Sequence, residues 1–207
     1  MASQVKSSSS AIYASIRGAS GFGIVSLAAF SVWALGGKWT QVHLGEAGLY
    51  GACALVFLGL SGLLLHPLLS GPGSFTRFYA VFVPAFAAYA VVWCGGWFIL
   101  HFGIGEWLGS LLGTFAFVGV TGWRFRNYHG FLKASLILFV FHSAGYFLGG
   151  HLMHWIMGPA GSSILTGATR SQISLVAKLA WGLLYGLGFG AGIGFVFYAL
   201  QREPAPD

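Results

Sequence analysis

Charge is scarce in this sequence. Of 207 residues, 7% are Asp, Glu, Lys or Arg, and the acids number four: Glu46, Glu106, Glu203 and Asp207. A soluble domain of this size needs a polar surface, and this chain cannot cover one. None of the four acids lies in the middle of a long apolar run. Proton pumps and ion-coupled transporters often keep a carboxylate at that depth, where it can exchange its charge, so that route is not expected. Cysteine is equally short. Cys53 and Cys94 are far apart and form no CxxC, which excludes a disulfide framework and makes them small buried hydrophobes. GxSxG, HExxH, a phosphate loop and paired buried acids are all missing, and with them the usual signs of an enzyme. No nucleic-acid-binding motif is present either.

What the chain has is apolar length: 57% of its residues are hydrophobic and its mean hydropathy is +0.79. A helix of about 20 apolar residues crosses the hydrocarbon core. Six such spans are expected, over residues 18–37, 45–66, 78–100, 105–123, 131–157 and 172–201. The expected fold is therefore an all-α, polytopic membrane protein, a six-transmembrane-helix bundle. It has a polar segment over 1–17, a membrane domain over 18–201 and a tail over 202–207. The Ser-rich start lacks the order of basic stretch, apolar core and cleavage site that marks a signal peptide, so the first span is expected to stay as an anchor. The runs are continuously apolar, without the alternation of a membrane β-barrel.

Lysine and arginine give the orientation. With six spans, Lys6, Arg17, Arg77, Arg124, Arg126, Lys133 and Arg202 share one side, and Lys38, Arg170 and Lys178 the other. The positive-inside rule makes the first side cytoplasmic, with both termini there. A bacterial inner (plasma) membrane is the expected location. The formal net charge of +6 then suits anionic lipid headgroups better than nucleic acid.

Histidine is the main ionisable residue on the other side. His43, Glu46, His101 and Glu106 fall in connections there, and His151 and His154 close the fifth span. The last two are spaced i, i+3 and share a helix face. Such a group suits helix capping, pH sensing or a divalent metal. His142 is different, since it falls mid-span in LFVFHSAGY. It needs a partner, either an interhelical hydrogen bond to a residue such as Tyr89 or, as an axial ligand, a haem. No histidine at matching depth is evident to face it. Neither cofactor is required by the sequence.

Phe82, Phe86 and Tyr89 share a face beside Pro84 and are candidates to line a path together with His142. The last span carries Gly182, Gly186, Gly190 and Gly194 at i+4, three overlapping GxxxG units. Gly188 and Gly192 lie on another face. Side-chain-free stripes let membrane helices approach closely. One groove suits a neighbouring helix, and the other a helix, a subunit contact or the wall of a solute path. Val32–Trp39, Val92–Phe98 and Tyr146–Trp155 each place a double glycine at the same end of an odd-numbered span, a pattern that three tandem helical hairpins would produce.

The size, span count and glycine placement resemble the acetate/succinate uptake transporter family and, more distantly, the acid-gated urea channels. GASGFGIVSLAAF, GLYGACALVFLGLSGLL and WLGSLLGTFAFVGVTGWRF leading into HGFLKASLILFVF carry this likeness. It implies a compact six-helix bundle that assembles as a ring, each copy with its own path. The first span reads SIRGASGF where that family has Asn-Pro-Ala-Pro-Leu-Gly, so no substrate residue carries over. The expected function is a small-solute channel or facilitator working as a homo-oligomer in the lipid bilayer. The alternative is a non-transporting membrane subunit of a larger complex, either a structural partner or a histidine-ligated (haem or metal) redox anchor.

Overall fold

Ser10 caps the first helix, its hydroxyl accepting from the Tyr13 N–H at 3.1 Å. The computed structural model describes residues 10–101 and 103–201. Lys6, Arg202, Glu203 and Asp207 lie outside them, as does most of the expected polar segment. From Ser10 the chain is helical for 55 residues as α1, Ala11–Leu65, with one interruption. Gly45 has φ 70° and ψ −177°, a conformation that only glycine adopts readily. The interruption turns α1 back on itself. Phe57 stacks on Phe22 with ring centroids 5.5 Å apart, and the Cys53 thiol reaches the Ala29 carbonyl at 3.5 Å. α1 is thus a hairpin of two limbs, residues 11–44 and 46–65.

A 3₁₀ turn, His66–Leu68, leads to α2, Ser74–Leu100. Then come α3, Ile104–Phe125; α4, Phe131–Met157; a short α5, Pro159–Ile164; and α6, Arg170–Leu200. Thr169 and Gln172 form a capping box at the start of α6. Among the described residues there is no strand. Among the described residues, five helices are long and apolar enough to cross a membrane, and the bend in α1 gives one of them two limbs of membrane-spanning length. The first helix starts seven residues before the expected span, at Ala11 rather than 18. The expected connection over 158–171 contains α5, and the first two expected spans are one bent helix.

The helices close a ring. α6 packs against α1 and α4, α2 against α3, α3 against α4, and α1 against α2. Glycine sets the closest approaches. A Cβ at Gly190 would collide with the Gly18 carbonyl, and one at Gly188 with the Phe141 carbonyl. Inside the ring lies a column of aromatic side chains. Phe22, Phe78, Phe82, Phe117, Phe189 and Phe197 are fully buried. Phe78, Phe82 and Phe86 stack in sequence along α2 at 4.9 and 5.3 Å. The outer face is apolar and exposed, with Leu55, Val91, Leu112 and Leu132 all more than half accessible, as suits helices solvated by lipid tails.

One end of the bundle carries Arg17, Arg77, Arg124, Arg126 and Lys133 and is called the basic end here. Gln201 ties it together. Its amide N–H donates to the carbonyls of Leu68 and Phe197 at 3.0 and 2.8 Å, and its oxygen accepts from the Ser70 N–H at 3.0 Å. The opposite end carries Gly45.

Candidate functional site: an aromatic cavity at the Gly45 end

Between the helices at the Gly45 end lies a cavity of about 770 Å³. Its lining comes from both limbs of α1 and from α2, α3, α4 and α6. Trp33, Trp93 and Tyr146 come from the three stretches that carry the double glycines, and all three line it. Trp181 meets Tyr146 at 5.5 Å between centroids, and Trp93 meets it at 5.6 Å. The Trp181 indole N–H donates to the Tyr146 carbonyl at 3.0 Å.

Glu106 is the one carboxylate in the wall, and no lysine or arginine lines the cavity among the described residues. α3 holds Glu106 in place by a local device. The carboxylate accepts from the Gly103 N–H at 3.2 Å, a capping bond across the first turn of α3. Its other oxygen accepts from the Tyr146 hydroxyl of α4 at 2.9 Å. Glu106 therefore links two helices while staying half-buried at the cavity wall.

The deep end is phenolic. Tyr89 and Tyr185 line the cavity, with their hydroxyls 3.3 Å apart. Behind Tyr89 stands His142, fully buried, its Nε2 2.6 Å from the Tyr89 hydroxyl. The ring is walled by Tyr89, Tyr146, Tyr185 and Phe189. His142 Nδ1 has no partner among the described residues, and neither have the buried hydroxyls of Ser110, Ser135 and Ser143. Nε2 is engaged by Tyr89, and among the described residues the rings around His142 are those of Tyr89, Tyr146, Tyr185 and Phe189, none of them a histidine. This surrounding does not fit a bis-histidine haem.

The other candidates fall in different places. Tyr89 lines the cavity, but Phe82 and Phe86 do not; they belong to the buried column. Of the six histidines and glutamates, Glu106, His151 and His154 line the cavity. His43, Glu46 and His101 are exposed and stand apart from it. His43 and His154 each engage the carbonyl four residues before them through Nδ1, at 2.8 Å. His43 also stacks on Trp39. Among the described residues, no group of three or more His, Cys, Asp or Glu is arranged to hold a metal ion.

The glycines of α6 divide between two partners. Cβ atoms at Gly182, Gly186, Gly190 and Gly194 would strike Phe30, Ser26, the Gly18 carbonyl and the Ala14 carbonyl, all on α1. At Gly188 and Gly192 they would strike Phe141 and Leu138 on α4. The second groove thus holds α4 of the same chain, not a subunit or a solute path. The Ser26 hydroxyl donates to the Gly182 carbonyl at 2.7 Å inside the first groove, a bond that close backbone approach permits. Sequence reasoning missed Trp93, Tyr146 and Tyr185 as cavity residues. The double-glycine stretches contained the first two, and the third directly precedes Gly186 of the glycine stripe.

No protein-family model, curated protein or solved structure matches this chain.

Proposed function

We propose that this protein is a small-solute channel or facilitator with six membrane spans. The observation that carries the reading is the cavity, which leads from the Gly45 end to Tyr89 and Tyr185. Beneath them the ring interior continues as a column of stacked phenylalanines toward the basic end. A wide aromatic mouth above a narrow apolar constriction suits a pore whose permeation is controlled by side-chain packing. The charge asymmetry of the two ends supports a cytoplasmic basic end. Assembly of several copies as a homo-oligomer is part of the proposal.

The test is osmotic swelling of liposomes reconstituted with the purified protein, using a panel of small neutral and charged solutes. Swelling faster than in empty liposomes is expected for at least one solute. A protein that passes none of them would overturn the reading in favour of a non-transporting membrane subunit, and a Soret band on purification in favour of a redox anchor.

A further inference from the structure

The cavity is apolar and aromatic with a single fixed charge. Trp93, Trp97, Trp181 and Tyr146 contribute rings to it, and Glu106 contributes the one carboxylate. Aromatic faces carry the negative end of the ring quadrupole and attract cations, above all quaternary ammonium groups, which are less strongly hydrated than a primary ammonium. A half-buried carboxylate in such a wall adds a charge that no lysine or arginine of the lining neutralises among the described residues. The same features disfavour anions.

The chain displays this chemistry on its own side chain. The Lys178 ammonium sits 4.4 Å from the centroid of the Trp33 indole, and Trp33 is a cavity residue. Lys178 itself is not in the lining, so it occupies a ring and leaves the Glu106 carboxylate to the Gly103 N–H and the Tyr146 hydroxyl. Lys178, Lys38 and Arg170 are the positive charges of this end. His151 and His154 stand at the exposed part of the cavity.

We infer that the cavity binds a small organic ammonium cation, held between the aromatic faces and the Glu106 carboxylate. The volume suits a ligand larger than a bare ion, since cavities of this size hold small organic molecules. In the channel reading, on which this part rests, that cation is the solute. The binding site itself stands on the cavity alone.

The experiment uses the full chain in lipid nanodiscs. Isothermal titration compares three probes of one shape: choline, its neutral isostere 3,3-dimethylbutan-1-ol, and the anion 3,3-dimethylbutanoate. Choline is expected to bind about ten-fold tighter than the alcohol, and the anion most weakly. Glu106→Gln keeps an oxygen to accept from the Gly103 N–H and an amide N–H that the Tyr146 hydroxyl can accept, but removes the charge. It is expected to bring choline down to the level of the alcohol while leaving the alcohol unchanged. Trp93→Leu, eluting as the wild-type protein does, is expected to weaken choline several-fold and the alcohol little. Absent choline binding, an alcohol or anion that binds as tightly, or a Glu106→Gln variant that keeps the preference would overturn the inference. The swelling panel separates the two readings. Passage of neutral solutes without choline binding sinks the ligand and leaves the channel. Choline binding without passage of any solute sinks the channel and leaves the site.

Discussion

At the scale of single residues, the membrane interior magnifies small chemical differences. Tyr89→Phe keeps the ring and removes one hydroxyl, leaving His142 Nε2 without its 2.6 Å partner. A buried polar group stripped of its partner costs about 1–3 kcal/mol. The variant should unfold correspondingly earlier in a denaturant titration in detergent. Tyr146→Phe should cost less, because Glu106 keeps the Gly103 N–H. Glycine gives a sharper contrast. Gly190→Leu would force a side chain into the Gly18 carbonyl, whereas Gly59 faces open space. Overpacking costs about 1–3 kcal/mol, so Gly190→Leu should lower thermal stability clearly. Gly59→Ala should leave it unchanged or raised, since alanine is the better helix former. The stripe of four glycines was legible in the sequence because its spacing equals one helical face. The Glu106–Tyr146 bond was not, because 40 residues and a connection separate its partners. Nothing in local spacing says which two helices meet there.

At the scale of elements, the bend at Gly45 decides how α1 is used. Unbent, 55 residues of helix would run about 80 Å, more than twice the hydrocarbon thickness. Gly45→Ala puts a Cβ on a backbone at φ 70°, ψ −177°, at a cost of about 1–3 kcal/mol. It also favours continuing the helix. A lower yield of folded protein is expected, with Gly51→Ala, which faces open space, as the unaffected control. Helices with long apolar runs were easy to read, because the membrane demands length. Their limits were less so. Gly18 and Gly37 looked like span ends, yet α1 runs past both, since in a lipid-like core glycine no longer breaks a helix. The partner of each α6 groove was also hidden. Gly188 and Gly192 meet α4, and which neighbour fills a groove depends on the ring order, which local sequence does not encode.

At the scale of the whole molecule, the aromatic column divides the cavity from the basic end. Phe86 and Phe189 stand 6.3 Å apart across it. If the protein is a channel, Phe86→Ala combined with Phe189→Ala should widen the constriction and raise the rate of liposome swelling several-fold, without changing which solutes bind in the cavity. An unchanged rate would locate the path elsewhere. The ring has a further consequence, which concerns the order in which it is made. α6 carries both glycine grooves and joins α1 to α4, yet it leaves the ribosome after both. Until it arrives, the ring stands open between α1 and α4, with Phe22 and Phe117 of the column unsheltered on that side. A partly synthesised chain must therefore wait in the membrane as an unclosed arc. Supplying α6 afterwards as a separate fragment should be enough to complete it.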